Sequence, residues 1–263
     1  MTWVPVGCVP DTVRTAALAY DLGARCLVHR VTPGRMAVTA AKGILTAALT
    51  AFLAYLCATA AADGSIFPAV LTGALAVAGV VFLATIVRAV RATGDTIYRF
   101  DSGLVHQRRA ATRVFRWDDV QLYRDVVRNV GRGGGTVSME YTYTVRRPDG
   151  EAVVLDHNMY WDIAELAKDV EQAVIDARFP LAIQTVMDGG TVGFGRFGVD
   201  LAGIRDGDDV VRWDDVDRVE IADGYIGIEQ LTKRRTPRYP VRSIPNVVVF
   251  AGLVETVLGA TRR

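Results

Sequence analysis

The sequence predicts an α+β membrane protein: a two-helix transmembrane hairpin, then two tandem antiparallel β modules, each closed by a C-terminal helix. Three observations predict it. Residues 43–62 and 66–87 are apolar runs without a charged residue, and only Asp63, Gly64 and Ser65 separate them. Beyond residue 94 the hydrophobic period drops to two, as in strands, and a helical period returns in one long stretch before Pro180. Finally, Phe115-Arg116-Trp117-Asp118-Asp119-Val120 recurs as Val211-Arg212-Trp213-Asp214-Asp215-Val216, with the tryptophans 96 positions apart.

Taken in chain order, residues 1–42 form an N-terminal segment. Asp11 is placed to cap a short helix, Thr12 to Leu22, and Gly23 to end it. Arg25 to Val31 alternates like a strand, and Pro33-Gly34 breaks it. Positions 1–10 contain Pro5 and Pro10 and no long apolar core, so no signal peptide is expected. Residues 43–87 follow as the hairpin, each run reaching about 30 Å as a helix. Its flanks carry Arg25, Arg30, Arg35 and Lys42 on one side and Arg88 and Arg91 on the other. The positive-inside rule then gives a two-pass inner-membrane protein with both termini cytoplasmic and the lipid bilayer as its integral partner.

Module 1 is expected over residues 94–179. Its strands are Thr96–Phe100, Leu104–Arg108, Thr112–Trp117, Gln121–Val130, Thr136–Arg147 and Glu151–Leu155, and its helix runs from Trp161 to Arg178, stopping at Pro180. Module 2, residues 180–263, repeats the plan. Its strands are Ala182–Met187, Thr191–Phe194, Gly198–Ile204, Val210–Trp213, Val216–Ala222, Tyr225–Leu231 and Pro240–Ile244, and its last helix is Val247–Leu258.

Composition limits the chemistry. The 30 basic and 29 acidic residues leave a net charge of +1, without the basic excess of a nucleic-acid binder. Cys8, Cys26 and Cys57 are an odd set without a C-x-x-C pair, and His29, His106 and His157 stand apart, so neither metal nor cofactor is expected. Trp117, Asp118, Asp119 and Trp213, Asp214, Asp215 read as structural corners: the ring fills a core and the carboxylates hold the turn. Tyr141, Tyr143 and Tyr160-Trp161 read as core packing under the helix. Gly131-Arg132-Gly133-Gly134-Gly135 lacks the ending of a phosphate loop and reads as a hairpin tip. Lys233, Arg234, Arg235, Arg238 and Arg242 form the densest basic cluster, and Arg108, Arg109 and Arg113, with Arg116, a lesser one. These are the candidate contacts for an anionic lipid or a protein partner.

The meander, the Trp-Asp-Asp-Val corner and the closing amphipathic helix resemble the bacterial pleckstrin-homology-like (PH-like) domain. From Arg25 onward the chain is also similar to an uncharacterised family of actinobacterial membrane proteins, through the early hairpin, the "DSGLVH" and "FRWDDV" elements and the run Val241 to Phe250. The resemblance implies no catalytic residues. It implies a membrane-anchored, non-enzymatic scaffold or sensor that binds a lipid headgroup, a peptide or a protein. The alternatives are an accessory subunit of an inner-membrane transport or secretion complex, and an enzyme with a site of unrecognised type.

Overall fold

A buried tryptophan turns the chain at the same point in each half of the sheet structure. The computed structural model describes residues 3–31, 43, 46, 49–50, 79, 84, 95–109, 111–130, 136–157, 159–160, 162–233 and 236–262. In the first half, β1 (Trp3–Pro5), β2 (Arg25–Arg30), β3 (Asp95–Phe100), β4 (Gly103–Arg108) and β5 (Ala111–Arg116) form a five-stranded sheet in that order. Helix α1 (Asp11–Ala19) links β1 to β2. The sheet ends at Trp117, which is 1% exposed and donates its indole N–H to the Phe100 carbonyl at 3.3 Å. Past that corner, β6 (Gln121–Val130), β7 (Thr136–Arg146) and β8 (Ala152–Asp156) form a three-stranded antiparallel sheet, and α2 (Ile163–Met187) closes the half.

The second half repeats this construction. Strands β9 (Val192–Phe194), β10 (Phe197–Asp200), β11 (Gly203–Asp206) and β12 (Asp209–Arg212) form a four-stranded antiparallel sheet. It ends at Trp213, whose indole N–H donates to the Asp200 carbonyl at 3.0 Å. Strands β13 (Val216–Ala222), β14 (Tyr225–Gln230) and β15 (Arg238–Pro240) form the three-stranded sheet, and α3 (Val247–Thr261) ends the chain. Residues 1–29 and 96–263 make one compact unit. In the second unit, residues 30–95, the described residues are Arg30 at the end of β2, Val31 after it, Asp95 at the start of β3, and Gly43, Thr46, Leu49, Thr50, Gly79 and Ala84, which are helical.

The likeness between the halves extends past the tryptophans. Gly103 pairs with Arg116 and Gly203 with Arg212, one residue before each tryptophan. A Cβ at Gly103 would lie 2.4 Å from the Phe115 carbonyl oxygen, and one at Gly203 2.1 Å from that of Val211. Only glycine lets the strands close there. Each helix also returns an arginine to the corner. Arg178 donates to the carbonyls of Asp118 and Val120 at 3.2 and 2.9 Å, and Arg262 to those of Val216 and Asp217 at 2.7 and 3.2 Å.

Two expectations are corrected. The first is the membrane hairpin. No helix among the described residues is long and apolar enough to cross a membrane. Helices α1 and α3, of 9 and 15 residues, are too short for a core of about 30 Å. Helix α2 has the length but carries Glu165, Lys168, Asp169, Glu171, Asp176 and Arg178. Apart from the few positions named above, residues 43–62 and 66–87 lie outside the described residues. What is described is mostly antiparallel β sheet with three helices. The α+β membrane class, the two-pass inner-membrane placement with cytoplasmic termini and the integral bilayer partner are therefore set aside.

The second correction concerns Pro180. Helix α2 runs straight through it to Met187, so the expected strand Ala182–Met187 is helix. A mid-helix proline costs about 3 kcal/mol by losing a backbone bond. Burial of Ala182 and Val186 on the stripe begun by Ile163, Leu166, Val170 and Val174 offsets it. The apparent alternation of Ala182–Met187 is a helical face read at the wrong period.

Gly203→Ala is expected to destabilise the protein by about 2–4 kcal/mol in equilibrium denaturation, because backbone, not a movable side chain, fills the Cβ position. Gly189→Ala, also at positive φ but with open space around it, is expected to cost only about 1 kcal/mol.

Candidate functional site

A broad concavity lies beside strand β5, where α1 forms one wall. Helix α1 buries Val13 and Ala17 in a cluster with Val9, Leu22, Cys26, Tyr98, Phe100, Val105 and Val114. Burial pushes the Cys26 thiol up to about 11, which leaves it un-ionised and unreactive at neutral pH. Side chains pin the helix at both ends. Gln107 donates from Nε2 to the Thr12 hydroxyl at 3.2 Å and accepts from the Tyr98 hydroxyl at 3.3 Å. Arg116 donates from Nη1 to the Tyr20 carbonyl at 2.8 Å while its Nε and Nη2 hold Asp118.

The opposite wall is the β7–β8 turn. Arg147 pairs with Asp149 at 2.6 Å and lies 3.7 Å from Glu151, and Glu151 faces Arg113 of β5 at 3.5 Å. Between the walls runs a groove of about 810 Å³, floored by Ala111, Thr112, Arg113 and Val114. Its charged lining, Asp11, Arg113, Arg147 and Glu151, sums to zero. That lining is suited to a neutral polar chain and not to a polyanion.

A second polar centre lies at the start of α2. His29 of β2, with its side chain fully buried, donates from Nδ1 to Asp162 at 2.7 Å. Burial raises the Asp162 carboxyl, but the hydrogen bond and charge of His29 outweigh it and hold the group below the ordinary aspartate value of 3.8. Asn246 occupies the matching position before α3, in the left-handed region at φ 51°. Its Oδ1 accepts from the Leu122 backbone N–H at 2.8 Å, and its own N–H donates to the Leu122 carbonyl at 2.8 Å. Deeper under α2, Tyr143 is pushed up to about 12, first by burial and then by the nearby Glu171, which Arg124 holds at 3.2 Å.

The sequence-predicted residues are dispersed. Trp117 and Trp213 are buried, and Asp118 and Asp214 pair with Arg116 and Arg212 two residues before them. Asp119 and Asp215 donate their backbone N–H groups to the Arg116 and Arg212 carbonyls, closing the same turn twice. Arg238 pairs with Glu220, Arg242 lies 3.8 Å from Asp125, and Arg113 belongs to the groove. Lys233 and Arg109 are exposed, and Arg108 is half-buried. Arg234, Arg235, Trp161 and the run Gly131–Gly135 lie outside the described residues. Among the described residues there is no group of three or more metal-ligating side chains.

Comparison by family model matches residues 12–263. The chain belongs to the DUF6585 family, a family of unknown function. No curated protein and no solved structure matches it. The match begins at Thr12, so all of α1 but Asp11, and every groove residue but Asp11, fall inside the family's extent.

Because Asp162 binds its proton more weakly when folded, the stability it contributes is present above pH 3.8 and is lost as pH falls through its lower folded value. Asp162→Asn is expected to flatten the acid limb of a melting-temperature profile. At neutral pH it is expected to cost about 1–3 kcal/mol, because the His29 N–H keeps only a neutral acceptor.

Proposed function

We propose that this chain is a non-enzymatic binding module of two PH-like copies, a scaffold or sensor that takes a peptide segment of a protein partner in the groove beside β5. Each copy has a first sheet, a tryptophan corner, a three-stranded sheet and a closing helix, and this order supports the PH-like reading. The observation that carries the binding reading is the groove itself. It falls within the volume range of ligand sites, and its walls are held by hydrogen bonds and ion pairs already made within the protein. An anionic headgroup is less well supported, since Arg113, Arg238 and Arg242 each face a carboxylate.

The test uses random peptides of about twelve residues, displayed on phage and selected on the full-length chain. Thr15 is an exposed groove residue of α1, so Thr15→Trp fills the groove and leaves the core untouched. Selected peptides are expected to bind Thr15→Trp at least about tenfold more weakly than the unchanged protein, read by fluorescence polarisation. Enrichment of no peptide, or equal binding to Thr15→Trp, would overturn the reading.

A further inference from the structure

The groove follows the edge of β5 and does not lie over one face of the sheet. Four consecutive residues, Ala111 to Val114, line it, and in a strand their side chains alternate between faces. Val114 faces α1, whereas Arg113 reaches Glu151 on the other side. The walls therefore rise on both faces of the sheet, and the floor between them is the strand's rim. Strand β5 is the last strand of its sheet, paired only with β4.

The hydrogen-bond parity of that pair tells which groups the rim presents. In an antiparallel pair, opposed residues alternate between those that exchange bonds and those that do not. The Trp117 backbone N–H donates to the Ser102 carbonyl at 3.1 Å, which fixes the parity at the end of the ladder. Counting back, Phe115 exchanges with Leu104, Arg113 with His106 and Ala111 with Arg108. Thr112 and Val114 then direct their N–H and C=O groups away from β4. Among the described residues none of these groups has a partner.

We infer that the groove takes its peptide as an added strand on β5, recognised through the backbone groups of Thr112 and Val114. The inference rests on the groove reading above and goes further by naming how the peptide binds. The charges of the walls are already matched internally, Arg113 by Glu151, Arg147 by Asp149 and Asp11 by Arg14, so the rim backbone is the unsatisfied polarity. An extended main chain is its complement. A second copy of this chain does not fit as well, because its own β5 is flanked by the same two walls. Only an unflanked extended segment reaches the rim. The matching edge in the second copy is built differently. Strand β12 is 4 residues long and carries Asp209 and Arg212, and Val210, the counterpart of Val114, is 46% exposed against 9%. Short, charged edges resist pairing.

The experiment uses the peptides selected on the full-length chain. Thr112→Pro removes one rim N–H that makes no bond within the protein, and an edge strand tolerates proline there. It is expected to weaken binding about five- to tenfold, and by more than Thr112→Val, which keeps the N–H. On the unchanged protein, methylation of single peptide amides is expected to weaken binding at alternate positions only. This arm decides the question even if Thr112→Pro does not fold. Peptides that lose affinity for Thr15→Trp but show no alternation would overturn strand addition and leave the groove reading standing. Peptides indifferent to Thr15→Trp would overturn both. A monomer–dimer equilibrium in sedimentation that Thr112→Pro abolishes would give the rim to a second copy and also overturn the inference.

Discussion

The bond from a buried indole N–H to a strand-end carbonyl is the constraint on which the architecture depends. Trp117 reaches Phe100 at the end of β3 and Trp213 reaches Asp200 at the end of β10, each tying the corner to the strand two places away in its sheet. Leaving such a donor unpaired in the core costs about 1–3 kcal/mol, so the ring is held in one orientation. Gly103 and Gly203 let the facing strands close to the distance the bond requires. With the corner fixed, the second sheet departs in a fixed direction. The helix that follows then returns an arginine to the carbonyls just past the corner, at Val120 in one half and Val216 in the other.

Much of this was legible in the sequence. The alternating runs from Thr96 to Leu155 and from Thr191 to Leu231 gave strands close to those found, because one face of each is buried and the other is not. The five identical residues at Trp117 and Trp213 announced the repeat. The other paired positions were hidden by a change of spacing. The tryptophans stand 96 positions apart, but Asp162 and Asn246, like Arg178 and Arg262, stand 84 apart. The difference lies in the hairpins, 10 and 11 residues for β6 and β7 against 7 and 6 for β13 and β14. Comparing the helices separately from the strands would have exposed it.

The groove was not legible, for a different reason. Its walls come from residues 11–20 and from Arg147 and Glu151, and its floor from residues 111–114, so no local window contains it. The basic residues show the opposite relation between sequence and structure. Arginines adjacent in sequence pointed to a shared surface, yet Arg238 and Arg242 turn to Glu220 and Asp125 on other strands. Linear charge density says little where each guanidinium finds its own carboxylate. The two halves also use one position differently. Asp162 reaches the buried His29 of the N-terminal strand, whereas Asn246 clips onto the edge of β6 and so joins the second half to the first. A carboxylate suits an imidazole donor. The amide, as both donor and acceptor, suits a strand edge that offers both groups.

Strands β2 and β3 are neighbours in the sheet although residues 31–94 separate them in the chain. The Val31 N–H meets the Asp95 carbonyl at 3.4 Å, so the polypeptide exits and re-enters at one doorway. Closing so long an excursion costs little more entropy than closing a moderate one. A change in the length of the intervening stretch is thus expected to cost the ladder on either side of it little, whereas a change at Gly103 or Trp117 would pry the corner apart.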